Sequence, residues 1–236
     1  MPPLFSADSV SKTFGDRSIL KAASIWAHEG TITALFGRNG CGKSTLLRIG
    51  AGIIAADGGA MHFAGQVFVR PRLNELARLG LFYLPERNLL STRLTLRQQI
   101  DAVEWRHGSE RTADIIDRLG LHSRLDQTAL QLSTGEQRRA EFAIAWICSP
   151  RCLLADEPFA AIDPSDREVI AAVLRELAQQ GCAIIVSDHE VPRLMSIADD
   201  VVWMTSGTTH GLGAPAAAIQ NEQFVREYLG PTQFTG

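Results

Sequence analysis

The chain has little of what marks a secreted, membrane-spanning or nucleic-acid-binding protein. Its cysteines, Cys41, Cys148, Cys152 and Cys182, are too scattered for a disulfide framework, as expected where thiols stay reduced. Cys148 and Cys152 could suggest a metal pair, but no nearby His or Cys cluster completes four ligands, so buried packing is the better reading. No run approaches the roughly 18 to 20 apolar residues of a transmembrane helix. The start, Met1-Pro-Pro-Leu-Phe5, lacks the basic-then-apolar layout of a signal peptide. These absences lead to the expectation of a soluble, cytosolic protein. Charge of one sign is lacking too: 23 Lys and Arg against 26 Asp and Glu leave a net −3. That gives no basic field for nucleic acid and no polybasic tail for a membrane surface. Internal repeats and low-complexity segments are missing, and 236 residues fit one α/β unit with an insertion.

What is present centres on Gly37-Arg-Asn-Gly-Cys-Gly-Lys-Ser-Thr45, which fits the phosphate-binding pattern G-x-x-x-x-G-K-[ST]. Gly37, Gly40 and Gly42 let the backbone turn tightly and bring its N–H groups onto phosphate oxygens. Lys43 would reach the β and γ phosphates, and Ser44 is placed to ligate Mg²⁺. The apolar run Thr31 to Phe36 before the loop reads as a buried strand. Lys43 to Gly50, with Leu46, Leu47 and Ile49, reads as a helix whose positive end faces the anion.

Around this motif, Leu4 to Val10 and Ile19 to Ala27 read as strands joined by a turn through Lys12-Thr-Phe-Gly-Asp16. Phe14 in that turn is either a ring for a flat base to stack on or a core plug. A short strand at Ala60 to Phe63, a helix at Arg72 to Leu79 and a strand at Leu81 to Leu84 follow. From Thr95 to Pro150 there is almost no strand signal: Thr95 to His107, Glu110 to Leu119 and Thr134 to Cys148 are amphipathic, so this segment reads as a helical insertion. Beyond it come strands at Arg151 to Ala155 and Cys182 to Ser187 around a helix at Pro164 to Gln180. Strands at Val201 to Met204 and up to Gly213, then two short helices ending at Gly230, complete the chain. This alternation is that of a mostly parallel sheet covered on both faces. The ends, Met1 to Pro3 and from Pro231, are expected to fray.

A second acidic element is needed to hold Mg²⁺, and Leu153-Leu-Ala-Asp156 supplies a carboxylate at a strand end. Glu157, next to it, is the candidate general base for an attacking water. The competing reading is an ordinary solvated loop end. Leu132-Ser-Thr-Gly-Glu136 opens a helix and has the chemistry of an anion site. Ser133 with Glu136 is equally a capping box, and on the residues alone that reading wins.

Together Gly37 to Thr45, Leu132 to Glu136, Leu153 to Pro158, Ala161-Ile-Asp163 and His189 make the chain resemble the ATP-binding cassette ATPases over essentially its whole length. The C-terminal pattern is most similar to the compact branch with branched-chain amino acid uptake and lipopolysaccharide export ATPases. The resemblance implies an α/β P-loop NTPase (RecA-like) core with a parallel sheet, a small antiparallel β subdomain and an inserted helical subdomain. Residues 1–236 would form one nucleotide-binding domain, with 1–87 and 151–236 as the β and core parts and 88–150 as the helical subdomain. It also implies ATP and Mg²⁺ as cofactors, with Phe14 on the adenine and Gly37, Arg38, Asn39, Gly40, Cys41, Gly42, Lys43, Ser44 and Thr45 around the phosphates. Ser44, Asp156 and Glu86 would hold the metal, and Glu157, His189 and Lys43 would be catalytic. Leu132, Ser133, Thr134, Gly135 and Glu136 would complete the nucleotide site of the opposite protomer, and Asp163 would lie in the loop crossing between protomers.

The implied function is ATP hydrolysis driving head-to-tail dimerisation, as homodimer or heterodimer, coupled to separate transmembrane permease subunits on the inner face of the cell membrane. The alternative is a soluble ATPase of the same family acting on a protein complex such as iron–sulfur cluster assembly. A small-molecule kinase would have no need of Leu132 to Glu136. Two departures stand out: Thr134 where the family usually has glycine, and Glu86 where glutamine is usual.

Overall fold

The structure, a computed structural model, describes residues 2–108 and 110–230. The expectation of fraying at Met1 and from Pro231 lies outside them. Among the described residues ten strands run in chain order: β1 Phe5–Phe14, β2 Arg17–Ala27, β3 Ile32–Phe36, β4 Gly58–Phe63, β5 Gln66–Phe68, β6 Leu81–Leu84, β7 Cys152–Asp156, β8 Ala183–Ser187, β9 Asp200–Thr205 and β10 Thr208–Gly213. They form one mixed sheet in the order β5-β4-β1-β2-β10-β9-β3-β8-β7-β6. From β9 to β6 every neighbouring pair is parallel. The central strands β3, β7 and β8 are buried at all five positions, as a sheet covered on both faces requires.

Alternation along these strands builds two apolar layers. Ile32, Ala34, Phe36, Leu153, Ala155, Ile184 and Val186 face one layer. That layer is filled by α5 (Thr134–Ile147) and α6 (Pro164–Gln179), and Ile170, Val173, Leu174 and Leu177 of α6 are buried there as their spacing predicts. Leu35, Leu154, Ile185 and Val202 face the other layer, shared with Leu46, Leu47 and Ile49 of α1 (Lys43–Gly50) and with the inner side of β1, β2 and β4. The remaining helices are α2 (Leu73–Arg78), α3 (Leu96–His107), α4 (Thr112–Arg118), α7 (Val191–Ile197), α8 (Pro215–Ala218) and α9 (Glu222–Phe224), which runs into a π-helical turn at Val225–Leu229. Between β6 and β7 the described residues hold helices and an isolated bridge from Thr95 to Thr128, without a named strand.

Four features depart from the sequence expectation. β1 continues to Phe14, and the connection is a two-residue turn at Gly15 and Asp16, because Gly15 at φ +56° closes a tight hairpin by itself. β5 was not expected: Ala64 and Gly65, both at positive φ, turn the chain back for three residues, too few to show a period. α7, with Pro192 in its first turn, is likewise too short for a periodic signal. Finally, β2 of the antiparallel ribbon meets β10 in parallel at Thr208 and Ala22, and β10 folds back antiparallel on β9, the first of the parallel strands.

Candidate active site

β3 delivers the chain at its C-terminal end into the Gly37 to Thr45 loop, and α1 starts at Lys43. Gly42 sits at φ +114°, and a Cβ there would be 2.8 Å from the Leu20 side chain; glycine is required both for conformation and for space. At Gly37 a Cβ would meet the Met204 carbonyl at 2.6 Å. Lys43 is only 5% exposed, and its Nζ donates to the Gly37 carbonyl at 2.8 Å. The cation is thus held inside the loop that it serves. A cavity of about 500 Å³ opens here, lined by Asn39, Gly40, Gly42, Lys43, Ser44 and Thr45, by Glu86 and Glu157, and by Arg17 and Ile19 from β2.

Asp156 ends β7 fully buried, with Ser187 of β8 as its register partner. Its Oδ1 accepts from Ser187 Oγ at 2.7 Å and from Ser44 Oγ at 3.1 Å, while Oδ2 accepts from the Tyr83 hydroxyl at 3.3 Å. Burial pushes the Tyr83 phenol up to about 12, so it stays a donor at neutral pH. Glu157 follows at φ +48°, a left-handed conformation costly for a side chain with a Cβ. Its N–H is fixed to the Ser187 carbonyl at 2.8 Å. Burial raises the Glu157 carboxyl above the usual glutamate range, Asp188 and Glu86 add to this, and Lys43 and His189 oppose it.

His189 Nδ1 lies 3.7 Å from Glu157 Oε2 and equally 3.7 Å from Asp188 Oδ1. Asp188 is buried and accepts three backbone N–H groups, from Phe159 at 2.9 Å, His189 at 2.7 Å and Glu190 at 2.9 Å. It ties the loop after β7 to the loop after β8. Burial raises its carboxyl as well.

Glu86 follows β6, with its carboxylate taking a hydrogen bond from Arg87 Nε at 3.1 Å. The backbone of its loop is gripped from α5. Arg138 donates to the Pro85 carbonyl at 3.1 Å and to the Glu86 carbonyl. It is ion-paired with Glu141 at 2.9 Å, both side chains being buried, and Glu141 accepts from the Leu89 N–H at 3.3 Å.

Leu132 to Glu136 lies outside the lining of the cavity. Ser133 caps α5: its Oγ accepts from the Glu136 N–H at 3.2 Å, and Glu136 Oε2 accepts from the Ser133 N–H at 2.8 Å. The capping box is therefore formed, with Arg124 on Glu136 at 2.5 Å. Leu132 is buried and Thr134 exposed, so the branched Cβ that departs from the family points to solvent. Gly135 is packed against Asp166 of α6, whose carboxylate occupies the space a Cβ would need. Asp163 is the exposed N-cap residue of α6. Phe14 is 48% exposed beside Lys12, whose Nζ is 5.3 Å from the ring centroid; it plugs no core, nor does it line the cavity.

Arg38 and Cys41 face the other way, toward a second cavity of about 360 Å³ that Trp203, Met204 and Glu227 also line. Arg38 donates to the Glu227 carbonyl at 2.7 Å. Below the loop, Phe36 packs on Phe224 at 6.0 Å and Tyr228 at 5.8 Å. The C-terminal turn thus braces the phosphate-loop end of β3. Among the cysteines, Cys152 and Cys182 are buried core residues, and burial pushes the Cys182 thiol up to about 12.

Of the residues that sequence reasoning gathered, Lys43, Ser44, Glu86 and Glu157 line one cavity, Asp156 is buried behind Ser44, and His189 stands 3.7 Å from Glu157. It missed Tyr83 and Ser187 on Asp156, Asp188 between the loops and Arg138 under Glu86. The signal for Ser187 was its place at the end of an apolar strand, the same place Asp156 has on the strand beside it.

The family model described as ABC transporter matches residues 20–160. The chain is 29% identical to a lipopolysaccharide export system ATP-binding protein of Acidithiobacillus ferridurans, over 98% of each. An ATP-binding cassette of an ABC transporter, solved in its ADP conformation, superposes with a TM-score of 0.84 at 22% identity, covering 98% of this chain and all of that one. A dimeric ATP-binding cassette in a post-hydrolysis state, bound to ADP and Pi, gives 0.78 at 20% identity, covering 88% of this chain and 98% of that one. The chain belongs to the ABC transporter family, as an ATPase whose hydrolysis of ATP is coupled to transport.

Proposed function

We propose that the 500 Å³ cavity is the ATP site, that two such sites are completed head to tail by a second ATPase subunit, and that separate transmembrane permease subunits receive the resulting movement. The observation that carries this is the convergence of Lys43, Ser44 and Glu157 on one cavity, with buried Asp156 behind it bonded to Ser44. The oxygen donors fit Mg²⁺: Ser44 Oγ and Asp156 Oδ1 already meet at 3.1 Å, and Glu86 lines the same space. A hard cation held by one or two carboxylates plus phosphate oxygens needs no more. Bound there, the ion would neutralise phosphate charge as it develops.

Lys43 exchanges its bond to the Gly37 carbonyl for a phosphate oxygen, and the loop N–H groups hold the rest of the phosphate chain. Glu157, ionised, takes the proton of the attacking water, and His189 beside it contacts the γ phosphate. Phe14, exposed at its hairpin, stacks on the adenine when the nucleotide is bound. Ser133 and Gly135 at the start of α5 face the nucleotide of the other subunit, and Asp163 crosses between subunits. Residues 88–150 form the helical subdomain within the single domain 1–236. The grip of Arg138 on Pro85 and Glu86 makes α5 and the Glu86 loop move as one piece toward the permease. The protein then works on the cytoplasmic side, peripheral through its permease partners.

The test is to express a tagged Glu157→Gln chain in its source cell, solubilise with mild detergent and ATP, and identify what co-purifies. A polytopic membrane protein with an ATP-bound dimer is the expected result. Soluble assembly proteins alone, or near-normal turnover in that variant, would overturn the reading.

A further inference from the structure

We propose that Tyr83, backed by Arg48, is a positioning residue that holds the Asp156 carboxylate in the rotamer presenting Oδ1 to the metal. This rests on the reading of Asp156 as a metal ligand. A carboxylate at a strand end rotates easily about its last torsion, so the backbone does not choose which oxygen faces Ser44. The three hydroxyls choose. Two of them, Ser44 and Ser187, meet Oδ1. Oδ2 is held by Tyr83 at 3.3 Å. Once Ser44 turns to the metal, the only donors left on Asp156 from this set are Ser187 and Tyr83, one on each oxygen.

Parallel pairing of β6 with β7 sets Tyr83 opposite Leu154, two residues before Asp156. Alternation then sends the Tyr83 ring to the α1 side of the sheet, while Phe82 packs on the other. A phenylalanine would fill the same space, so packing does not explain the hydroxyl. Arg48 gives its orientation. It lies four residues after Ser44 on α1, on the same helix face, and its Nε stands 3.5 Å from the Tyr83 oxygen. A cation beside the phenol oxygen occupies its lone-pair side and turns the O–H toward the carboxylate. One helix thus carries both the hydroxyl for the metal and the charge that orients the carboxylate's outer donor.

The experiment uses the full chain and a fluorescent ATP analogue, titrated with Mg²⁺ and separately measured in excess chelator. Tyr83→Phe should raise the Mg²⁺ concentration for half-maximal enhancement of binding about tenfold, the lower end of what a hydrogen bond to a charged group is worth. Arg48→Met should shift it the same way by about threefold, as expected for an exposed charge acting at longer range. Metal-free affinity and the urea unfolding midpoint should stay near the wild-type values, since the ring and its packing remain. Asp156→Asn should abolish the Mg²⁺ enhancement. If it does so while Tyr83→Phe titrates like the wild type, Tyr83 has no positioning role. Equal weakening of metal-free and Mg²⁺-dependent binding by Tyr83→Phe would also overturn the proposal, as general distortion. Wild-type Mg²⁺ dependence in Asp156→Asn would remove the metal reading of Asp156 itself.

Discussion

Replacing Gly135 by alanine should destabilise the folded chain through Asp166, independently of any nucleotide. The glycine lies in the first turn of α5, against the first turn of α6. A Cβ there would overlap the Asp166 carboxylate, with Cγ only 2.6 Å away. Asp166 is not free to swing aside, because its Oδ1 is ion-paired with Arg139 Nε at 3.0 Å, one helical turn along α5 from Gly135. Alanine must therefore either push α5 away from α6 or break the pair. Overpacking of this kind costs roughly 1–3 kcal/mol, and we expect about 2 for Gly135→Ala. Asp166→Ala alone loses a partly shielded ion pair, worth about 1 kcal/mol at most. In the double variant the obstacle has gone, so the cost should be about 1 kcal/mol instead of 3, a coupling of about 2. Urea unfolding at constant m-value reads this directly. Additivity of the two substitutions to within about 0.5 kcal/mol would refute the intrachain explanation for this glycine. Where stability returns in the double variant and ATP turnover does not, the remaining loss supports the role proposed for Gly135 at the second subunit's site.

Three further outcomes are expected. The acid limb of the ATPase pH profile should lie above the ordinary glutamate range, because burial raises the Glu157 carboxyl and protonation on lowering the pH removes the base; a limb at the ordinary glutamate position would count against Glu157. Arg138→Met leaves Glu141 buried without its partner and should cost about 3–5 kcal/mol in urea unfolding. Arg138→Met with Glu141→Leu should recover most of that, and failure to recover would mean that the lost bonds to Pro85 and Glu86 dominate. Glu86→Gln keeps the shape and removes a charge that lines the cavity, so the Mg²⁺ requirement of hydrolysis should rise, and an unchanged requirement would exclude a direct metal role for that charge.

Legibility in the sequence followed the range of the interactions concerned. Gly37 to Thr45 could be read because every requirement lies within nine residues: the tight turn, the cation and the helix start. β3, β7 and β8 could be read because a strand buried on both faces is apolar at every position. α6 was readable from Ile170, Val173, Leu174 and Leu177 at helical spacing. The reach of β1 to Phe14 was missed since its neighbours β2 and β4, and not its own residues, supply its hydrogen bonds.

The sequence by itself determined that there is a phosphate loop between a buried strand and a helix, that a carboxylate pair ends a second strand, and that a helical segment separates them. Tertiary structure alone decided which groups meet across those elements. Tyr83 and Ser187 on Asp156 are separated from it by 73 and 31 residues, and Arg138 reaches Glu86 over 52. Gly135 is held by a residue of another helix, and Phe36 is braced by Tyr228 from the far end of the chain. Periodicity reports only which face of an element is buried; strand register and helix packing fix what that face touches, and those are set by contacts between segments whose sequences carry no mutual signal.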